Sequence, residues 1–269
     1  MKLGLCTIQR NRGPWIKEWI AFHALVGFEK FYFFTHRCDD NTNQILLELS
    51  AHYDIAAFNL SDDVATPQLA AYQYAYDRFN HEVDWMGFID GDEFLFSPKH
   101  ADIRDALENF SYARLSALGA YWACFGSSGH QTEPKGLITD NYRHRAPDDF
   151  KPNSHIKSLV RGRQGSSFQM GGNAHYFNTI HGTFDENLQP ITGGYTPYPA
   201  SYNLFRINHY ATQSYEFFKT FKQNSGAADG NPNLVRPQSW WDEYDRNEIA
   251  DHSIEPFSQA LKERLLQIG

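Results

Sequence analysis

Two periods alternate along the first 110 residues: short runs that are apolar almost throughout, and longer stretches in which apolar residues return every three or four positions. The first kind suits buried strands and the second suits helices with one face on a core. Leu3-Gly4-Leu5-Cys6-Thr7 predicts a first strand, and the polar turn Gln9-Arg10-Asn11-Arg12-Gly13 follows it. Pro14 fits the first turn of a helix, where a missing N–H costs nothing. Trp15, Trp19, Phe22 and Val26 then form one stripe that stops at Gly27. Further strands are predicted at 30–35, 55–60, 85–89 and 113–123, and helices at 43–53, 67–79 (after a Thr66 cap) and 102–110. Strand and helix in strict alternation predict βαβ units, hence an α/β fold with a mostly parallel, Rossmann-like sheet flanked by helices. Beyond residue 123 the pattern is irregular and rich in Gly, His and aromatics. We divide the chain at 215: a main domain over 1–215, with halves at about 1–110 and 111–215, and a helical extension over 216–269. Residues 226–232 are expected to form an exposed loop.

Composition narrows the function classes. A net charge of -8 without a Lys/Arg stripe argues against a nucleic-acid surface. Three cysteines, Cys6, Cys38 and Cys124, fit neither a disulfide framework nor a paired-cysteine metal site, which favours a reducing compartment. No window resembles a signal peptide or a membrane span, so a cytoplasmic protein is expected, with peripheral contact at the inner membrane face left open.

Candidate chemistry sits where the strand at 85–89 ends. Trp85-Met86-Gly87-Phe88-Ile89 runs directly into Asp90-Gly91-Asp92-Glu93, and the chain turns apolar again at Phe94-Leu95-Phe96. In extended chain, residues two apart share a side, so Asp90 and Asp92 are expected to converge on a cation or a ribose. Gly91 would permit close approach, and Glu93 would face away. Oxygen ligands of this kind suit Mg2+ or Mn2+, which leave positions open for substrate phosphates. Ligands of open α/β sheets also gather at the carboxyl ends of strands. The plainer alternative is a solvated acidic turn.

Several segments in order resemble bacterial GT-A glycosyltransferases related to family 92. They are Glu18-Trp19-Ile20 with His23 and Gly27, Trp85 with Asp90-Gly91-Asp92-Glu93-Phe94, Trp122 with Phe125-Gly126-Ser127-Ser128-Gly129-His130, and Asn208-His209-Tyr210 with Ser214. The resemblance implies a GT-A fold, a hexosyltransferase activity, a UDP-sugar donor and Mn2+ (or Mg2+). It also implies a metal-binding histidine late in the chain, for which His209 is the first candidate and His175 the second. His23, on a core-facing helix, reads instead as a buried, hydrogen-bonded residue. A glycan or glycolipid acceptor of a bacterial polysaccharide or lipopolysaccharide pathway is the corresponding expectation.

By position, Gln9, Arg10, Asn11 and Asp39 are expected to meet base, ribose or phosphate. Gln68 and Tyr72, one helical turn apart, share a face that could reach the ribose or the diphosphate. Lys157 and Arg161 are candidates to offset its charge. An inverting transfer needs a carboxylate base, for which Glu133 is preferred over Asp140. Trp122, Phe125, Tyr142, Trp240 and Trp241 are candidates for a sugar platform. Two other readings compete: a nucleotidyltransferase acting on a sugar phosphate, and a non-catalytic nucleotide- or carbohydrate-binding homologue.

Overall fold

The computed structural model describes residues 1–163 and 173–269, together with the backbone of Gln169–Met170. Strand β1 (Leu3–Gln9) is buried almost throughout and pairs in parallel with β2 (Lys30–Thr35) on one side and β4 (Trp85–Phe88) on the other. β3 (Asp54–Asn59) lies parallel beyond β2 and forms the edge. Unbroken apolar runs such as Phe31 to Phe34 are what a strand covered on both faces requires. Past β4 the sheet is mixed. β8 (Ile156–Arg161) runs antiparallel between β4 and β6 (Ala117–Cys124), followed by β11 (Thr183–Phe184) and β12 (Pro190–Ile191). β13 (Arg206–His209) pairs in parallel with the end of β6 and antiparallel with β5 (Glu93–Phe96). The short strands β7 (His144–Arg145), β9 (Gln169–Met170), β10 (Phe177–Asn178) and β14 (Ile249–Ala250) pair locally, β7 with β14 and β9 with β10. The expected α/β architecture is thus observed, with its parallel part in β1 to β4.

Helices α1 (Ile16–Leu25), α2 (Thr42–Leu49), α3 (Pro67–Phe79) and α4 (Ile103–Glu108) flank the parallel strands. α1 departs from the predicted single stripe: Ile16 and Glu18 to His23 are all buried, whereas Trp15 only half is. The reason is the C-terminal segment. α8 (Ser258–Ile268) packs along α1, Phe257 meets Phe22 edge-to-face at 5.7 Å, and Lys17 binds the Gly269 carbonyl. Of the short helices α5 (Ile138–Asn141), α6 (Tyr215–Phe217) and α7 (Gln238–Tyr244), α6 continues as a π-helical turn over Phe218–Lys222. Thr66 stands before α3, but its hydroxyl makes no cap bond; Ala228 supplies the carbonyl that accepts Gln68 N–H, at 3.1 Å. No helix among the described residues is long and apolar enough to cross a membrane.

Glu18 of α1 is 5% exposed and accepts Ile138 N–H at 2.7 Å, Thr139 N–H at 3.0 Å and the Thr139 hydroxyl at 2.8 Å, thereby capping α5. Burial, opposed by those hydrogen bonds, raises its pKa from 4.5 to about 7. A carboxyl raised on folding favours the native state fully below the unfolded value, and that contribution is lost as pH rises through the folded one. The stability advantage of wild type over Glu18→Gln should therefore shrink by roughly 3 kcal/mol between pH 5 and pH 8. Urea titrations across that range would show it, and a constant difference would refute the shift.

Candidate functional site

The chain leaves β4 at Phe88 and turns back into β5 through Ile89 to Asp92. This turn is built rather than merely permitted. Glu93 N–H donates to the Asp90 carbonyl at 3.2 Å, and Glu93 Oε2 accepts Asp90 N–H at 2.9 Å. From α1, Trp19 Nε1–H reaches the carbonyls of Asp90 (3.2 Å) and Glu93 (2.9 Å). His23 Nε2 accepts Leu95 N–H at 3.1 Å while its Nδ1 lies 2.7 Å from the Trp19 carbonyl, so the proton is on Nδ1. Burial holds the His23 pKa near 3. His23 is thus the buried, bonded residue expected, and Trp19 and His23 together hold the turn and the strand that follows it.

The turn corrects one premise. Asp90 and Asp92 share a cleft because a tight turn carries them there, not because the chain is extended; Glu93, instead of merely facing away, fastens the turn from beneath. Gly91 lets Gln9 approach closely, since a Cβ at Gly91 would lie 2.5 Å from Gln9 Cδ and the Gln9 side chain would have to shift. The cleft, about 410 Å³, opens at the carboxyl ends of β1 and β4.

Asp90 and Asp92 each hold a lysine. Lys157 of β8 is 1% exposed; its Nζ lies 2.9 Å from Asp90 Oδ2 and 3.9 Å from Glu93 Oε1. Asp90 Oδ1 accepts Gln68 Nε2 and lies 3.2 Å from the Tyr72 hydroxyl. Burial is the largest single effect on Asp90 and would raise its pKa, but the Lys157 charge and hydrogen bond, with His175, together turn the net shift downward. Burial raises Glu93, whose Oε1 has no hydrogen bond among the described residues. Lys222 Nζ lies 2.6 Å from Asp92 Oδ2. Against the raising effect of burial, Lys222 and then His209 hold the Asp92 carboxyl well below the usual range.

The expected metal ligands are placed as follows. His209 Nε2 is 3.8 Å from Asp92 Oδ1, too far for a hydrogen bond but within twice the ~2.1 Å span of a Mg2+–oxygen contact. Its Nδ1 is buried and has no hydrogen bond among the described residues, and burial lowers its pKa to about 4, leaving the neutral, ligating form at pH 7. Asp92 and His209 therefore fit a shared divalent cation. His175 lines the same cleft on the Asp90 side. Its Nδ1 lies 2.9 Å from the Ile156 carbonyl, which leaves Nε2 as the lone pair. Among the described residues no group of three or more His, Cys, Asp or Glu side chains is gathered closely enough to hold an ion, so substrate atoms would have to complete the shell.

Of the other expected residues, Gln9, Arg10, Asn11, Gln68 and Gly91 line the cleft, and Tyr72 lies behind Asp90. The rest are engaged elsewhere. Asp39 is exposed and pairs with the Asn11 amide outside the cleft. Glu133 accepts the hydroxyls of Ser214 at 2.6 Å and Tyr142 at 3.0 Å and is not part of the cleft lining. Asp140 binds Ser258 and Lys262 of α8 at 2.6 and 2.7 Å. Arg161 is four residues along β8 from Lys157, ~13 Å of strand; there it covers the Trp85 ring at 4.6 Å. Trp122 packs on His209 with centroids 4.1 Å apart, whereas Trp240 and Trp241 pack on Phe218, and Phe125 and Tyr142 on Tyr210.

Four charged residues of the cleft were not singled out from the sequence: Arg12, Lys222, Asp229 and Arg236. Arg12 could have been inferred, since it lies in the turn with Gln9 to Asn11. It is 5% exposed, lies under the Trp15 ring, and donates to the Gly91 carbonyl at 2.9 Å and Gln213 at 3.3 Å. No periodicity marks the others. A smaller pocket of about 190 Å³ adjoins, lined in part by Ile8, Arg10, His36, Asp62 and Val64.

A family model described as Glycosyltransferase family 92 matches residues 3–265. A glycosyltransferase family 92 protein of Oryza sativa subsp. japonica is 27% identical over 96% of this chain and 44% of its own length. One of Ricinus communis is 27% identical over 98% of this chain and 46% of its own. The chain thus spans less than half the length of these curated relatives, and they are plant proteins, whereas the sequence resemblance pointed to bacterial members. Among solved structures, S. aureus TarS in complex with UDP is similar at 17% identity with a TM-score of 0.40, over 60% of this chain and 47% of that one.

Proposed function

The chain belongs to glycosyltransferase family 92, and from that premise we propose that the cleft transfers a hexosyl group from a UDP-sugar to a hydroxyl of a glycan or glycolipid. The observation that carries the reading is the paired arrangement at the end of β4: Asp92 with His209 and Lys222, and Asp90 with Lys157. It combines a place for a cation with one buried and one half-buried ammonium group facing a cleft of nucleotide-diphosphate size.

In this reading Asp92 and His209 hold Mn2+. A cation there would act as a Lewis acid, offsetting charge on the departing nucleoside diphosphate. Lys222 and Arg236 meet the diphosphate from the other wall. Asp90, fixed by Lys157, Gln68 and Tyr72, is the acceptor for ribose or sugar hydroxyls. Gln9 Oε1, buried and without a hydrogen bond among the described residues, is a second such acceptor. The base enters the adjoining pocket beside His36 and Asp62. Inversion requires a carboxylate near the acceptor hydroxyl. Asp229 lines the cleft and has no hydrogen bond or ion pair among the described residues, whereas Glu133 would first have to leave Ser214 and Tyr142.

The test is UDP release from a panel of UDP-sugars with Mn2+ or with chelator. One sugar should give a signal that chelation lowers by about a hundredfold or more. Pyrophosphate release from a nucleoside triphosphate and a sugar phosphate would instead establish the nucleotidyltransferase. Metal-dependent UDP binding without turnover on any acceptor would establish the binding homologue.

A further inference from the structure

The segment between α6 and α7 crosses the mouth of the cleft and is fastened at both sides. Arg236 Nη1 donates to the carbonyls of Lys222 (3.1 Å) and Gly226 (3.0 Å) and to Ser225 Oγ (3.2 Å). Across the cleft, the Ala228 carbonyl accepts Gln68 N–H at the start of α3. At the near end, Lys222 closes the π-helical turn, where Gln223 N–H bonds the Phe218 carbonyl at 2.8 Å. π-Turns of this kind recur at functional sites. The backbone of Lys222 is therefore held while its four-carbon stem leaves the ammonium free to move. That ammonium rests on Asp92 Oδ2, on the carboxylate whose other oxygen faces His209 Nε2.

We propose that Lys222 is an internal counter-ion for Asp92 that a divalent cation displaces, and that the displaced ammonium pairs with the donor's diphosphate. The inference rests on the reading of Asp92 as a cation ligand. Two positive charges cannot share one carboxylate without repulsion, so a cation arriving alone must remove Lys222 from Asp92 with nothing to receive it. A nucleoside diphosphate arriving with the cation offers Lys222 a new partner. Cation and nucleotide should then bind cooperatively, each raising the affinity for the other by the same factor. The protein would bind free Mn2+ weakly and the loaded nucleotide well.

The experiment measures Mn2+ binding by the paramagnetic signal of the free ion, without nucleotide and with UDP, for wild type, Lys222→Met, Lys222→Arg and Asp92→Ala. Lys222→Met should bind Mn2+ alone about tenfold more tightly than wild type, and the enhancement of Mn2+ binding by UDP should fall by a similar factor. Lys222→Arg, which keeps the charge, should keep the weak Mn2+ affinity of wild type in the absence of UDP. Unchanged or weaker Mn2+ affinity in Lys222→Met, with binding still lost in Asp92→Ala, overturns the competition while leaving the cation site standing. Absence of Mn2+ binding in all four proteins, with and without UDP, removes the cation site and the competition together. The four melting temperatures confirm that each variant folds.

Discussion

Asp92→Ala is expected to lower turnover of the sugar donor by about a thousandfold or more while leaving the protein folded. The size follows from what the carboxylate does in the proposed reaction. It is the oxygen partner of His209 for the cation and the anchor of Lys222, so its loss removes a ligand and frees a charge together. Removing one preorganised electrostatic element of a site costs on the order of a hundred- to a thousandfold, and a cation supplies several kcal/mol beyond a single hydrogen bond. The fold should survive because the backbone of Asp92 is fixed independently: its carbonyl accepts Tyr210 N–H at 2.8 Å, and Gly91 is held by Arg12. Lys222, partly exposed, can turn to water. Initial rates with the donor identified in the panel, beside melting curves, decide the matter. Near-normal turnover in a folded variant would end the assignment of Asp92 as the cation ligand.

Lys157→Met should act in the opposite way, chiefly on stability, with a loss of about 4 kcal/mol near pH 7.5. The ammonium is 1% exposed and is the cation beside both Asp90 and Glu93. Deleting one member of a buried ionic cluster leaves the others uncompensated, at a cost of about 3–5 kcal/mol. The loss should shrink in acid. Burial already raises the Glu93 pKa, so a protonated Glu93 relieves the variant below the unfolded carboxyl pKa of about 4.3, and the penalty grows as pH rises through the folded value. Adding Glu93→Gln should recover part of the loss at pH 7.5. Urea titrations at pH 5 and 7.5 measure both effects; a loss under about 1 kcal/mol at pH 7.5 would show that Lys157 is not the counter-ion.

The parallel half of the sheet was legible because burial leaves a local mark. Leu3 to Thr7 and Trp85 to Ile89 are apolar on successive residues, and the strand-end carboxylates stand out against them. What was not legible depends on partners far along the chain. Lys222 meets Asp92 across 130 positions, and Arg12 meets Gln213 across 201. No window of a few turns contains both members of either pair. Position alone also misplaced several side chains. Asp140 was read as the second candidate for the base, yet α8 supplies Ser258 and Lys262 to take it up. Asp39 was expected to meet base or ribose, but it pairs with the Asn11 side chain and does not itself line the cleft. Arg161 shares a strand face with Lys157 and still sits elsewhere, because a face specifies a direction and not a depth. The turn at Asp90 brought the expected carboxylates together by a geometry that alternation does not describe.

Helix α1 carries three of these supports on one rod. Glu18 holds the start of α5 at residues 138–139, Trp19 holds the turn at Asp90 and Glu93, and His23 holds β5 at Leu95. Each residue of helix adds ~1.5 Å and a rotation of ~100°. A single insertion or deletion between Ile16 and His23 would thus withdraw some or all of these hydrogen-bonding groups from their partners at once, although no cleft residue had changed. Sequences descended from this one should therefore vary in composition along α1 far more readily than in its length.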